Sequence, residues 1–354
     1  MQNQKKVKVI RGRVVPSILI ISVLFSQRLF AADPLKPLPL SQVKYFAYQI
    51  QGLEEDGAID KIAESKYDMV VIEPTRTVSD ENRSFDARKM VWKIRNSKAS
   101  DGIHRKIVIA YVNIGEAEDW RWYWKWPKQD SKKKGIPSDW PKYIVKLDPD
   151  GWSGNYPVKF WSEEWKDLVI YGKKHKSTDS DFSSMLDEVL KDGFDGIYLD
   201  WVEAYEEKDV AAAAKSEGRN PAKEMVAFIR EIKDYGRKAN PDFIVIQQNA
   251  SSLAEEQPDI LNVIDAIGQE DTWYGGEPDV KWGDPRGYDR KQKTNETRET
   301  IRLLEAYKKA SKPVFTIDYT LKHADEIYRN AKAKGFVPYC TRTHLGKLTT
   351  TQPY

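Results

Sequence analysis

Eight short apolar segments alternate with helical patterns along this chain, and the alternation limits its fold more than any other feature. Strands separated by helices are typical of parallel sheets with crossover connections, and eight such units close into a (β/α)8 TIM barrel. An open doubly wound sheet is the alternative, but no Gly-x-Gly-x-x-Gly sequence follows the first strand. The predicted strands are 45–49, 69–73, 107–113, 196–200, 243–248, 266–270, 314–318 and 336–340. The predicted helices are 59–65, 87–97, 162–171, 182–190, 222–239, 254–260, 296–310 and 324–333.

The N-terminal segment has the features of a targeting sequence. Residues 1–31 begin with a basic region, continue with a short apolar core at 14–25 and end in small residues, which predicts a signal peptide. The apolar core is shorter than the roughly 20 residues that span a bilayer, and an uncleaved anchor is the alternative. Three prolines predict an extended linker at 32–42. The barrel is then expected at 43–345 as a single domain. We expect the protein to be secreted or periplasmic, to be a monomer, and to have no membrane attachment after the signal peptide is cleaved.

Composition excludes several classes of function. The signal peptide carries six basic and no acidic residues, so the formal charge changes from +3 for the whole chain to about −3 without it. The remaining charges are interspersed, which argues against nucleic acid as a partner. Four isolated histidines predict no catalytic metal and no cofactor is expected. The one cysteine, Cys340, excludes an intramolecular disulfide.

Polar and aromatic side chains are concentrated at the C-terminal ends of the predicted strands, where a barrel carries its reactive groups. Aromatic faces together with amides and carboxylates suit a sugar ring, which has apolar C–H faces and a rim of hydroxyl groups. We therefore expect this end of the barrel to bind a carbohydrate. The predicted substrate-binding residues are Tyr48, Gln49, Glu73, Tyr111, Asn113, Glu116, Trp201, Asn249, Asp271, Trp273, Tyr274 and Asp318.

Two of the strand-end carboxyl groups are suited to glycoside hydrolysis, which needs one protonated and one ionised carboxyl group beside the scissile bond. Asp200 ends the predicted fourth strand and Glu270 ends the sixth, so the two can face each other across the barrel mouth. Glu73, Glu116 and Asp318 are strand-end alternatives to either partner. The sequence has no lysine at a predicted strand end and no Gly-x-Ser-x-Gly motif, so neither a lysine nor a serine is expected to act as the nucleophile.

A segment after the third predicted strand is rich in tryptophan. It is too long for an ordinary loop, so it is an insertion that either lines the cleft or packs on itself in place of a core. Trp201 and Trp273, next to the predicted acids, are better candidates for substrate contact. The tryptophans of the segment are Trp120, Trp122, Trp124, Trp126, Trp140, Trp152, Trp161 and Trp165.

Four motifs, in this order along the chain, resemble glycoside hydrolase family 114, the endo-α-1,4-polygalactosaminidases and their bacterial relatives. They are Tyr-Phe-Ala-Tyr-Gln at 45–49, Ala-Tyr-Val-Asn-Ile-Gly-Glu-Ala-Glu at 110–118, Gly-Phe-Asp-Gly-Ile-Tyr-Leu-Asp at 193–200 and Gln-Glu-Asp-Thr-Trp-Tyr-Gly at 269–275. The resemblance implies a barrel that cleaves internal bonds of a galactosamine-containing polysaccharide. It also implies a retaining mechanism with Asp200 as nucleophile and Glu270 as acid/base. A non-catalytic carbohydrate-binding barrel is the main alternative, and an enzyme for a small sugar with a closed pocket is a more distant one.

Overall fold

Eight parallel strands form one sheet in which the spatial order of the strands is their order in the sequence. The computed structural model describes residues 35–74, 85–127, 135–147, 154–174, 182–278 and 280–351. The predicted signal peptide, the first part of the linker and Trp152 lie outside these ranges. The strands are β1 Phe46–Gln49, β2 Met69–Ile72, β3 Ile107–Asn113, β4 Gly196–Asp200, β5 Ile244–Gln248, β6 Ala266–Glu270, β7 Val314–Asp318 and β8 Val337–Cys340.

The sheet curls until its first and last strands meet. The ring centroids of Phe46 on β1 and Tyr339 on β8 are 5.8 Å apart. Beyond the strands, the backbone amides of Ile50 and Gln51 both donate to the carbonyl oxygen of Leu345. The predicted (β/α)8 barrel is therefore confirmed as a nearly closed barrel.

Helices connect the strands on the outside of the barrel. The predicted helix at 254–260 is instead two four-residue helices, because Pro258 lacks the N–H that a continuous helix would need. None of the helices in the described ranges is long and apolar enough to cross a bilayer. The helices are α1 Ala58–Glu64, α2 Ala87–Arg95, α3 Glu163–Lys166, α4 Met185–Asp192, α5 Lys208–Ser216, α6 Pro221–Ala239, α7 Leu253–Glu256, α8 Ile260–Val263, α9 Thr294–Lys309 and α10 Ala324–Lys334.

Aromatic side chains fill the upper interior of the barrel. The ring centroid of Tyr48 lies 5.4 Å from that of Tyr198 and 6.2 Å from that of Tyr111. A Cβ atom on Gly268 would lie 2.3 Å from the Tyr198 hydroxyl, so only glycine fits on β6 at this level. Successive residues of a strand point to opposite faces. Residues that differ from Tyr48 or Tyr198 by two positions therefore share the inward face.

The tryptophan-rich insertion lies between β3 and β4 and is built on a small antiparallel hairpin of Glu116–Glu118 with Asn155–Pro157. Most of its described aromatic residues pack on one another. The Trp124 ring contacts Trp140 at 4.9 Å and stacks on Tyr156 at 5.1 Å between centroids. Trp165 is fully buried and donates its indole N–H to the carbonyl of Ile114. Most of the described aromatic residues of the insertion therefore pack on one another, which agrees with the prediction that the insertion packs on itself in place of a core.

Candidate active site

A cavity of about 870 Å³ opens at the C-terminal end of the barrel, and acidic side chains dominate its wall. Eight carboxyl groups and two guanidinium groups line it. The carboxyl groups belong to Glu73, Glu116, Glu118, Asp119, Asp200, Glu203, Glu270 and Asp271, and the guanidinium groups to Arg121 and Arg290. No three acidic, histidine or cysteine side chains of the described residues converge in a way that could hold a metal ion.

Asp200 is positioned by the turn before β4 and by a tyrosine of β3. Helix α4 ends at Gly193, whose φ of 85° allows the chain to turn into the strand. Asp200 follows Tyr198 by two residues and so points inward, where it accepts a hydrogen bond from the Tyr111 hydroxyl. Burial raises the pKa of Asp200 to about 7; the Tyr111 hydrogen bond opposes this, and the charge of Glu270 adds to it. Asp200 can therefore change its protonation state near neutral pH.

Glu270 is held in a similar way at the end of β6. Its backbone amide donates to the side-chain oxygen of Asn249 at 2.8 Å, and its carboxyl group accepts a hydrogen bond of 2.8 Å from the Tyr319 hydroxyl. Burial raises the pKa of Glu270 to about 7, and the charge of Asp271 adds to this. Hydrogen bonds from Tyr319, Gln248 and Asn249 oppose the increase. A tyrosine hydroxyl thus orients each of the two carboxyl groups that the sequence singled out.

Strand β5 separates the strands that carry the two acids. Leu199 on β4 pairs with Gln247 on β5, so Asp200 lies level with Gln248. Gln248 pairs with Gly268 on β6, so Glu270 lies two residues beyond the level of Asp200. Gln248 occupies the interval between them and is 4% exposed. The structure therefore brings Asp200 and Glu270 to one cavity, on next-nearest strands.

Glu203 is a further acid of the cavity wall and follows β4 in the short helical turn Val202–Tyr205. Burial raises its pKa to about 8, and the charges of Asp200 and Glu270 contribute in the same direction. A hydrogen bond from Asn249 opposes these effects. Asn249 therefore contacts both Glu203 and Glu270, which fixes their relative positions.

A buried ion triad joins the insertion to the barrel. Arg121 donates to both carboxylate oxygens of Glu73, at the end of β2, and to both of Glu118, in the hairpin. The three side chains are 9%, 10% and 4% exposed. The guanidinium group of Arg121 is therefore fully engaged by these two acids, and the other six carboxyl groups of the cavity wall do not share it.

The model of the glycoside hydrolase family GH114 matches residues 38–353. The chain belongs to this family. It is 29% identical to an uncharacterized protein of Deinococcus radiodurans, over 90% of this chain and 87% of that protein. It is 32% identical to one of Methanocaldococcus jannaschii, over 86% and 78% respectively.

Two solved structures share the fold. The glycoside hydrolase domain of PelA from Pseudomonas aeruginosa gives a TM-score of 0.57 at 14% identity, covering 87% of this chain and 98% of that one. Ega3 of Aspergillus fumigatus, solved in complex with galactosamine, gives 0.54 at 14% identity, covering 88% and 96%. The family assignment identifies the chain as a glycoside hydrolase, and these two structures share its fold.

Seven of the twelve predicted substrate-binding residues of this GH114 protein line the cavity, together with the two predicted acids. Five do not. Gln49 is buried and donates to the carbonyl of Gly346, because it points away from the face that Tyr48 occupies. Asp318 is buried and accepts the backbone amides of Trp273 and Tyr274 outside the barrel. The seven that line the cavity are Tyr48, Glu73, Tyr111, Glu116, Trp201, Asn249 and Asp271.

The other three have structural contacts. Asn113 donates to Glu116 at 3.0 Å and accepts two backbone amides, so its contact with the cavity is indirect. Tyr274 stacks on His323 at 4.7 Å and is buried against α10, and Trp273 packs beside it. All five residues therefore lie outside the cavity wall.

Several residues of the cavity wall were not among the predicted substrate-binding residues. Tyr319 and Gln248 lie at strand ends, and their position on the inward face was a usable signal. Trp120, Arg121 and Asn155 come from the insertion, and nothing local in their sequence indicates that they reach the cavity.

Proposed function

We propose that this glycoside hydrolase cleaves internal α-1,4 bonds of a galactosamine-containing polysaccharide, with Asp200 and Glu270 as its catalytic pair. The observation that carries this proposal is the presence of two strand-end carboxyl groups in one cavity, each raised in pKa to about 7 and each oriented by a tyrosine hydroxyl. Both can exchange a proton near neutral pH, which acid/base chemistry requires.

In the retaining mechanism that we propose, the ionised carboxylate of Asp200 attacks the anomeric carbon while the protonated carboxyl group of Glu270 donates its proton to the leaving oxygen. The glycosyl–Asp200 ester is then hydrolysed by a water molecule whose proton passes to Glu270. This mechanism needs a separation of about 5 to 5.5 Å between the two carboxyl groups, whereas an inverting mechanism needs about 6.5 to 9.5 Å.

The charge of the cavity supports an amino sugar as the substrate. Eight carboxyl groups face two guanidinium groups, and Arg121 already binds two of the eight. An acidic cavity attracts a cationic ligand, and the positive charge of that ligand in turn favours the ionised form of each nearby carboxyl group. The likeness to Ega3, which binds galactosamine, points to the same class of sugar. We further propose that the seven predicted substrate-binding residues in the cavity wall contact the polysaccharide. We also propose that the predicted signal peptide directs export of the protein.

Release of reducing ends from a partly de-N-acetylated α-1,4-galactosamine polymer tests the proposal. We expect activity in the wild type and a loss of at least about 100-fold in Glu270→Gln and in Asp200→Asn, because each removes a proton donor or nucleophile. Glu296→Gln on the exposed side of α9 is the matched control, and its activity should equal that of the wild type. Proton NMR of the first product distinguishes retention from inversion at the anomeric carbon.

Two outcomes would contradict the proposal. Equal activity in Glu270→Gln and the wild type would remove Glu270 from the mechanism. Binding of the polymer without any release of reducing ends would favour the non-catalytic carbohydrate-binding barrel.

A further inference from the structure

Among the described residues, the cavity wall contains buried side-chain oxygens that have no hydrogen-bond partner. They are Asn155 Oδ1, Glu203 Oε2, Gln248 Oε1 and Asp271 Oδ1. Buried acceptors that lack a donor are unfavourable, and a ligand that supplies only donors satisfies them. An ammonium group has three N–H donors and no acceptor.

One of these acceptors belongs to a site that is separate from the catalytic pair. Asn155 is 7% exposed and begins the second strand of the insertion hairpin. Its amide nitrogen donates to Glu116 Oε2 at 2.9 Å, which leaves Asn155 Oδ1 as the atom without a partner. Asn113 also donates to Glu116 Oε2, at 3.0 Å, and its own orientation is fixed because its oxygen accepts the amides of Gly115 and Glu116. The two amides therefore hold Glu116 rigidly at the cavity wall.

Glu116 has carboxyl groups rather than cations as its charged neighbours. It is 2% exposed, and burial raises its pKa to about 8, with further contributions from Asp200 on β4 and Glu118 in its own strand. The nearby Arg121 binds Glu118 and Glu73. Because Oε2 accepts both amide donors, the proton of the neutral carboxyl group lies on Oε1.

We propose that Glu116 and Asn155 form a subsite that binds the ammonium group of a galactosamine residue next to the catalytic pair. This inference rests on the proposed function and deepens it. The same hairpin supplies Trp120 and Asp119 to the cavity wall. Gly154 leaves room for them, since a Cβ atom at Gly154 would lie 2.8 Å from Asp119 Oδ1. An N-acetyl group carries no positive charge, so it cannot form the charged pair with an ionised Glu116 that the free amine forms, and the subsite therefore favours the free amine.

Binding at this subsite is coupled to a proton. The neutral carboxyl group of Glu116 releases its proton to solvent and becomes the carboxylate partner of the ammonium group. A substrate without the amine gives no such release. The number of protons released on binding therefore reports on the subsite independently of catalysis.

Calorimetry on Glu270→Gln with a galactosamine tetramer and with its N-acetylated form tests the proposal. Titrations at pH 7 in two buffers of different ionisation enthalpy give the affinity and the protons released. We expect tighter binding of the free amine. Adding Glu116→Gln should weaken that binding by about 10- to 100-fold and reduce the release by about one proton, because a charged hydrogen bond is lost. Glu296→Gln in the same background is the matched control and should change neither quantity.

The possible failures are distinguishable. If Glu270→Gln binds neither tetramer, the proposed function fails. If it binds both equally, or if Glu116→Gln leaves affinity and proton release unchanged, the function stands and the subsite is refuted. Circular dichroism checks the folding of each variant. If Glu116→Gln does not fold, Asn155→Ser replaces it as the test variant. We expect Asn155→Ser to lower the affinity for the free-amine tetramer by about 3- to 10-fold and to leave the affinity for the N-acetylated tetramer unchanged. Unchanged affinity in that variant would overturn the proposal.

Discussion

Replacing Arg121 with methionine removes the cation that joins Glu73 of the barrel to Glu118 of the insertion. Methionine keeps the length and apolar stem of the side chain but donates no hydrogen bonds. The variant leaves two carboxyl groups in a wall where their side chains are only 10% and 4% exposed. We therefore expect it to destabilise the fold more than an ordinary surface change.

The magnitude follows from this burial. Removing one partner of a buried ion pair costs about 3 to 5 kcal/mol, because the remaining charge cannot regain its hydration. In a domain of this size 1 kcal/mol changes Tm by about 2 °C. Arg121→Met should therefore lower Tm by about 6 to 10 °C.

The chain provides a matched control on its surface. Arg302 donates to both carboxylate oxygens of Glu255 and to both of Glu299, in the same kind of triad. Its three side chains are 51%, 52% and 57% exposed. Exposed ion pairs contribute little because water replaces the lost partner. Arg302→Met should therefore leave Tm unchanged within the error of the measurement.

Thermal unfolding at pH 7, followed by circular dichroism, compares the two variants. Adding Glu73→Gln and Glu118→Gln to Arg121→Met should restore part of the lost Tm, since the uncompensated charges are then gone. The same Tm for Arg121→Met and Arg302→Met would refute the reasoning that burial makes the first triad important.

Two further predictions concern protonation. The Tyr111 hydroxyl lowers the pKa of Asp200, and the Tyr319 hydroxyl lowers that of Glu270. If Asp200 is the nucleophile, Tyr111→Phe should shift the acid limb of the kcat/KM profile to higher pH by about 1 unit, and Tyr319→Phe should shift the basic limb similarly. The opposite assignment of limbs would exchange the two roles. The second prediction is that stability falls with pH. Acids of the cavity, such as Glu116 with a pKa of about 8, have folded pKa values above their unfolded ones. Their contribution to stability is complete below the unfolded pKa of about 4 and is lost as pH rises through the folded values. Tm measured between pH 5 and 9 should therefore decrease, and less steeply in Glu116→Gln; a rise in Tm over this range would contradict the prediction.

The strands of the barrel could be predicted closely from the sequence. The bounds of β3, β4, β6 and β7 match the prediction residue for residue, and those of the other four differ by one residue at one end. Each strand from β1 to β7 is a short apolar run that ends in, or is followed directly by, an amide or a carboxylate, which marks where the strand stops. Helices were harder, and α5 at Lys208–Ser216 was not predicted, because an alanine-rich segment has no strong apolar periodicity.

The contribution of the insertion to the cavity could not be predicted. Glu116–Glu118 pairs with Asn155–Pro157 across a long loop, and sequence patterns do not specify such distant pairing. Arg121 illustrates the difficulty, because an arginine between tryptophans in a charged segment has the pattern of a surface residue. Only the folded hairpin brings it between Glu73 and Glu118.

Gln49 and Asp318 lie outside the cavity wall for one physical reason, which is the alternation of side chains along a strand. A strand end offers two neighbouring polar residues, and only one of them can face the cavity. On β1 this is Tyr48, whose ring contacts Tyr198 inside the barrel, and Gln49 faces outward. Beyond β7, Tyr319 reaches Glu270 while Asp318 binds backbone amides on the outside. Position at a strand end therefore identifies two neighbouring candidate residues. The one that lies an even number of residues from an inward-facing aromatic residue of the same strand faces the cavity.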